Sequence, residues 1–372
     1  MIRALIVDDE PPARVRLRHL LDRAGGVSVV GEAGNAADAQ ALVRELRPDV
    51  LFLDIEMPEV RGTTLAASLP QPRPFVVFAT AYERYAMDAF ACDATDYLLK
   101  PVSRTKLAAT LERIRSRLHH RSETERDVAT ASALQAAMWP GALPHIPGFD
   151  CAAASLPAAG VGGDFYDGFA LDDPEWALLI GDVSGKGVAA GLVATAVQGR
   201  VQTAARHAKL APVPMADVLN ADLFASTHGH RYATMIYATL DASAGRLQLV
   251  NAGHPAALLF GPDDPVPQEL ASTGPALGLM DVAEFGSISV QLAPGGILVA
   301  FTDGLSEALD ADEEEFGTAR VASIVAVHRR ASATVLCTAL LEEVRRHRGG
   351  CQQQDDVTVL VIRAVGADGG TV

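Results

Sequence analysis

The sequence predicts an α/β doubly wound, parallel five-stranded domain, then a helical linker, then an α+β sandwich of the αββα type. Three observations carry this. Short apolar runs at residues 4–7, 27–30, 49–53, 75–79 and 97–99 alternate with helical stretches at 14–23, 36–46, 63–68, 84–90 and 104–118. That alternation marks buried parallel strands joined by crossover helices. The segment WPGALPHIPGF, residues 139–149, holds three prolines and breaks the pattern. Beyond it, strand-like runs come in series at 151–155, 164–170, 176–182, 232–240, 246–251, 256–260, 297–302 and 357–362. Helical stretches are grouped between them at 188–205, 216–224, 318–328 and 333–346. Strands in runs with grouped helices imply α+β.

The elements follow one another with recognisable joints. The first helix comes after Pro11 and Pro12. Residues 119–138 are polar and then Ala-rich, without Gly or Pro, so they continue the preceding helix. Leu107, Leu111, Ile114 and Leu118 fall at helical intervals, and Leu134 and Met138 recur four apart. Such a stripe serves either a dimer seam between two copies or packing on its own domain. The resulting bounds are 1–118 for the first domain, 119–138 for the linker and 139–365 for the second domain. Residues 366–372 read as a disordered tail.

Composition narrows the function classes. A chain of 372 residues with 49% hydrophobic and 21% charged residues is globular. No apolar run approaches the ~20 residues needed to span a bilayer, and the start MIRALIVDDE lacks the form of a signal peptide. A cytoplasmic protein with no membrane partner is expected. Cys92, Cys151, Cys337 and Cys351 form no CxxC pair, which points to free thiols. The net charge of −15 is uneven: residues 1–120 hold 16 Lys/Arg and 16 Asp/Glu, and residues 121–372 hold 15 and 30. An acidic second half repels a phosphate backbone, so no nucleic-acid partner is expected and a transcription-factor reading is remote.

Three acids stand at strand ends of the first domain: Asp8 and Asp9 after ALIV, and Asp54 after VLFL. Ligands of a doubly wound sheet bind at that carboxyl edge. Carboxylates converging there call for a hard divalent cation, and Mg2+ fits because it leaves room for water and a phosphoryl group. Thr80 ends FVVFAT and Lys100 ends DYLLK, placing a hydroxyl and an ammonium at the same edge. With VDD, LDIEMP, AT and DYLLKP in order, residues 1–118 resemble the response-regulator receiver family. The resemblance implies that Asp54 is the phosphoacceptor and that a histidine kinase is the phosphodonor. It implies Mg2+ held by Asp8, Asp9, Asp54 and the Glu56 carbonyl. It also implies a Thr80–Tyr97 switch pair, a phosphoryl contact from Lys100 and a cis Lys100–Pro101 bond.

The second half carries GGDFYD with Asp164, LLIGDVSGKG with Asp182, VAFTDGLSE with Asp303, and QQDDVTVLVI with Asp355 and Asp356. Carboxylates on two adjacent hard cations make a site for in-line attack of water on a phosphate ester. The absence of a His–Cys cluster disfavours zinc. No Cys-x5-Arg pattern marks a cysteine-dependent phosphatase. With NAGHP added, these motifs resemble the PPM superfamily of metal-dependent protein phosphatases, in its stage II sporulation E-like branch, from about residue 133 to 363. The resemblance implies Asp182 bridging two Mn2+ or Mg2+ ions and joined by the Val183 carbonyl, with Asp164, Asp303, Asp355 and Asp356 as further ligands. It implies phosphoserine or phosphothreonine on a protein, of which a phosphorylated anti-sigma-factor antagonist is the example. One departure is Ala256 where a second Pro commonly follows NAGHP. His228 and His230 read as loop histidines. His254 reads either as a hydrogen-bonding group across its turn or as a neighbour of the substrate phosphate, and Lys186 either as a phosphate contact or as a solvated helix-start lysine. Asp312–Glu315 reads as a solvated loop.

The expected function is therefore a response regulator whose Asp54 phosphorylation controls a serine/threonine protein phosphatase. The competing reading is a phosphatase-fold adaptor that binds a regulator without turnover.

Overall fold

The computed structural model describes residues 1–70, 73–81, 94–158 and 160–365. The helix expected at 84–90, Cys92 and the expected tail at 366–372 lie outside the described residues. The chain divides into two compact units, residues 1–126 and 127–372.

In the first unit, strands β1 (Ile2–Val7), β2 (Val27–Ala33), β3 (Val50–Leu53), β4 (Phe75–Thr80) and β5 (Asp96–Leu99) form one sheet in the order β2-β1-β3-β4-β5. Every pairing is parallel, with Ala4 opposite Val50 and Phe78 opposite Tyr97. Helix α1 (Pro11–Ala24) begins with prolines whose missing N–H groups would be orphans there in any case. Helix α2 (Ala36–Leu46) is capped by Asn35, whose side chain accepts from the Asp38 N–H at 2.8 Å. Helix α3 (Gly62–Ala67) is short. Two buried clusters, one on each sheet face, explain why β3 is apolar throughout and β1 is apolar from Ala4 onward. The sheet order reverses between β1 and β3, which opens the crevice where Asp8, Asp9 and Asp54 emerge.

Helix α4 runs unbroken from Arg104 to Met138. Its Leu107, Leu111 and Ile114 are buried in the first unit's core, with Leu118 beside them. Leu134 and Met138 are exposed. The division between units falls within this helix.

The second unit has two antiparallel five-stranded sheets. One holds β7 (Phe165–Ala170), β8 (Glu175–Val183), β9 (Ala233–Asp241), β10 (Arg246–Ala252) and β13 (Ile288–Gln291). The other holds β6 (Phe149–Leu156), β11 (Ala257–Phe260), β12 (Gln268–Leu270), β14 (Ile297–Phe301) and β15 (Val357–Ala364). Leu178 and Ile180 of β8 meet Leu298 and Leu360 between the sheets. Ala177 and Leu179 turn instead toward helices α5 (Val188–Thr203) and α6 (Pro212–Thr227). Likewise Val357, Val359 and Val361 of β15 pack under α8 (Thr318–Val327) and α9 (Ala333–Arg348). A strand buried on both faces needs apolar residues at every position, which is why these runs are unbroken in sequence. The helix–sheet–sheet–helix layering agrees with the predicted αββα class.

Three differences have physical causes. The predicted strand at 164–170 starts one residue later, and Asp164 precedes it. The strand expected at 297–302 ends one residue earlier, at Phe301, and Asp303 opens a four-residue helix, α7 (Asp303–Ser306). Strands β12 and β13 sit at sheet edges, where QEL and ISVQ bury one face at most and show no apolar run. No helix among the described residues is long and apolar enough to cross a membrane.

Candidate functional site

In the first unit, Asp8 directly follows β1 and Asp54 directly follows β3, both buried, with Asp9 half-buried. Among the described residues, only these three bring ligand oxygens all within 4.8 Å of one another. Lys100, following β5, places Nζ 2.6 Å from Oδ2 of Asp8 and 2.6 Å from Oδ2 of Asp54. Burial raises the Asp54 carboxyl above its ordinary value and the Asp8 charge adds to this, against the pull of Lys100. Burial disfavours the charged Lys100 ammonium, yet its bonds to Asp54 and Asp8 hold its pKa up. A Cβ at Gly62 would stand 2.0 Å from the Asp54 carbonyl oxygen, so only glycine allows this close approach. The Thr80 hydroxyl is buried without a hydrogen-bond partner among the described residues, and Tyr97 lies one strand over, opposite Phe78. The Lys100–Pro101 bond is cis, as the resemblance implies.

In the second unit, four separated segments supply one acidic cluster. Asp164 precedes β7, Asp182 lies near the end of β8, Asp303 follows β14 and Asp355 precedes β15. Burial, followed by the Asp303 and Asp355 charges, pushes Asp182 up to about 7, while Asp164 shares a hydrogen bond with it. Burial and the Asp182 charge likewise drive Asp164 well up. Burial and then Asp355 raise Asp303. A Cβ on Gly163 would lie 2.8 Å from the Val183 carbonyl oxygen and 3.1 Å from Oδ1 of Asp182, so both oxygens crowd one spot. Mutually repelling carboxylates joined by a carbonyl, with no nitrogen or sulfur donor, suit hard divalent cations. Unlike those of the Asp8 trio, the ligand oxygens of this cluster do not all lie within 4.8 Å of one another.

Supporting residues orient these acids. Thr302 donates to Oδ2 of Asp164 at 2.8 Å and accepts from the Thr358 N–H at 2.9 Å, tying β14 to β15. Asp356 is committed differently from the expectation that made it a metal ligand. Its Oδ1 accepts from the Ala158 N–H and its Oδ2 from the Gly163 N–H, both at 2.7 Å, so its carboxylate braces the loop before Asp164. The other side of that loop is held by Gln135 of α4. Gln135 donates to the Gly162 carbonyl at 2.8 Å and accepts from the Gly162 N–H at 3.1 Å. Ser132 adds a bond to the Gly160 carbonyl at 2.7 Å.

The histidines divide. His254 is buried, with Nδ1 2.8 Å from the Thr234 hydroxyl, and burial pushes its pKa down to about 3. Thr234 pairs with Asp182 across β8 and β9, so His254 braces the strand beside the cluster as a neutral ring. Of its two sequence readings, the hydrogen-bonding one matches. His228 and His230 are exposed on the turn after α6. Sequence reasoning passed over Gln135 and Asp167. Asp167 is buried, accepts from Gln198 at 3.0 Å and from Gln202 at 2.5 Å, and fastens β7 to α5. Its signal was present as the second acid of GGDFYD; Gln135 had only its polarity within an Ala-rich stretch.

The profile of the stage II sporulation protein E (SpoIIE) family matches residues 172–365, more than half of the chain. The chain belongs to the SpoIIE family. The response regulator receiver domain profile matches residues 4–112. This SpoIIE-family protein thus joins a receiver domain to a PP2C-type phosphatase domain. Asp182, Asp303 and Asp355 lie inside the family match, whereas Asp164 lies ahead of it and takes its place from the geometry.

The receiver domain is similar to the transcriptional regulatory protein BtsR of Salmonella typhi, 51% identical over 116 residues, which cover 31% of this chain and 48% of that protein. The chain spans about half the length of the curated relatives it matches. The phosphatase domain is similar to the solved RsbU and RsbW domains of a Mycobacterium tuberculosis protein. That match has 30% identity and a TM-score of 0.54, and covers 61% of this chain and 64% of that one. The SiaA-PP2C domain of Pseudomonas aeruginosa shares the fold at 21% identity and a TM-score of 0.55, over 66% of this chain and 98% of that one.

Proposed function

We propose that this protein is a response regulator in which phosphorylation of Asp54 controls a metal-dependent phosphoserine/phosphothreonine protein phosphatase in residues 139–365. The observation that carries the reading is the meeting of Asp164, Asp182, Asp303 and Asp355 from four distant segments in one repulsive cluster. Two Mn2+ or Mg2+ ions bound there would activate water and draw charge from the phosphoryl oxygens. The roles we assign to the chain's own groups are these. Asp182, the Val183 carbonyl, Asp164, Asp303 and Asp355 would hold the ions. Thr302 keeps the Asp164 carboxylate oriented, and Asp356 with Gln135 fixes the loop that delivers it.

In the receiver domain, 1–118, we assign one Mg2+ to Asp8, Asp9, Asp54 and the Glu56 carbonyl, with Lys100 holding a phosphoryl oxygen on Asp54. Thr80 and Tyr97 form the switch pair. The donor is a histidine kinase. Residues 119–138 of α4 carry the signal, because the same helix that packs Leu107 and Leu111 in the first unit holds Gly162 through Gln135 in the second. A homodimer through this helix, with Leu134 and Met138 at the seam, is part of the proposal. The substrate we favour, by analogy with the family, is a phosphorylated anti-sigma-factor antagonist or a similar small regulator in the cytoplasm.

The test is release of phosphate from p-nitrophenyl phosphate and from a phosphoserine protein with Mn2+, for the full chain and for a chain lacking residues 1–118. Turnover that changes on removing the receiver supports control by it. An unaltered rate means the two halves are merely tethered.

A further inference from the structure

Lys186 stands in the loop Gly185–Lys186–Gly187, between β8 and α5. Both glycines have positive φ, 91° and 74°, so they turn the chain in a way other residues resist. The loop is anchored from below. Arg231 Nη1 donates to the Ser184 carbonyl, and its guanidinium fills the space a Cβ on Gly185 would need. Ser184 and Tyr232 exchange bonds of 2.9 and 3.1 Å. From this fixed base Lys186 Nζ reaches Oδ2 of Asp355 at 3.0 Å and donates to the Gln354 carbonyl. Its charge also acts on Asp303. Lys186, Asp303, Asp355 and Arg348 line one small cavity of about 80 Å³.

We propose that Lys186 is the mobile cation of the phosphatase site: it pairs with Asp355 when no divalent ion is bound and turns to the phosphoryl dianion of the substrate when one is. This rests on the phosphatase reading above. A divalent ion held by Asp355 would repel the ammonium paired with that carboxylate, so the two would compete for Asp355. The flexible four-carbon stem of lysine lets the displaced charge stay in the same pocket. A phosphomonoester arriving there brings two negative charges and oxygen acceptors, which a displaced ammonium meets with charge-assisted bonds. The role is one of substrate binding and ion competition and transfers no proton.

The test uses the full chain and its Lys186→Met and Lys186→Arg variants, with thermal melting to show that each is folded. Calorimetric titration with Mn2+ alone should give about fivefold or tighter binding for Lys186→Met than for the native chain, since the internal competitor is gone. Titration of the Mn2+-loaded proteins with inorganic phosphate should give about tenfold weaker binding for Lys186→Met and native-like binding for Lys186→Arg. Both readouts are independent of turnover, so an inactive native chain would count against the phosphatase reading and not against this one. Unchanged Mn2+ affinity, or unchanged phosphate affinity, in Lys186→Met overturns the proposal.

Discussion

Gln135 and Gly162 exchange two hydrogen bonds, 2.8 Å from Nε2 to the carbonyl and 3.1 Å from the N–H to Oε1. The glutamine is buried, and Gly162 stands two residues before Asp164. A Cβ on the neighbouring Gly191 would fall 2.9 Å from Nε2 of Gln135, so the bonded pair fits a space that glycine keeps open. Gln135→Ala leaves both backbone groups of Gly162 buried and unpaired, at about 1–3 kcal/mol each. The expected outcome is at least a tenfold loss of kcat/KM in Mn2+-dependent phosphate release, with the circular dichroism of the folded chain retained. An unchanged kcat/KM would show that the loop keeps Asp164 in place without the helix.

Asp356 braces the same loop from the opposite side, through the Ala158 and Gly163 N–H groups. Asp356→Ala strands one buried and one half-buried donor and should lower thermal stability by about 1–3 kcal/mol as well as activity. Asp356→Asn keeps one acceptor oxygen and should recover part of the stability. If Asp356→Ala melts like the native chain while losing bound Mn2+, the residue acts as a ligand and not as a brace.

Asp54 should be the only residue labelled by acetyl phosphate, and Asp54→Asn should abolish the label. Lys100→Ala should leave Asp54 without its 2.6 Å partner and slow labelling. Mass spectrometry of the labelled chain decides this, and label retained in Asp54→Asn means another acceptor.

The cluster also sets a pH dependence. Asp164, Asp182 and Asp303 are all raised in the folded, metal-free protein, Asp182 to about 7. Their unfolded values lie near ~4. The folded state therefore holds extra protons between about pH 4 and about pH 7. Stability from these groups is complete below that window and is lost as pH rises through about 7. In EDTA the melting temperature should fall between about pH 4 and about pH 7, and Asp182→Asn should flatten the slope. Excess Mn2+ should raise the melting temperature most at the alkaline end, where protons no longer compete for the carboxylates. A flat profile in EDTA would mean the carboxylates do not face one another.

Much of this was legible in the sequence because both faces of the key strands are buried. ALIV, VLFL, FVVFAT and VTVLVI announce themselves as apolar runs; ALIV and VLFL are followed by acids, VTVLVI is preceded by one, and FVVFAT ends in Thr80. The αββα layering followed from strands in series. Short elements were invisible: QEL of β12 and ISVQ of β13 gain their structure from neighbours at a sheet edge and carry no periodic signal. The site followed the same rule. The acids stood out as motifs, whereas Gln135, Thr302 and Asp356 act through bonds to backbone and side chains 27, 138 and 193 residues away. Spacing along one chain does not display such partners. His254 shows the limit most clearly, since only the observed burial selects the hydrogen-bonding reading over a place beside the substrate.

One measurement bears most directly on the central claim: Mn2+-dependent phosphate release by the native chain compared with Asp182→Asn under identical conditions. The account predicts turnover in the native chain, abolished by EDTA, and at least a hundredfold loss in the variant (about 2.7 kcal/mol). Equal rates in the two proteins would contradict it.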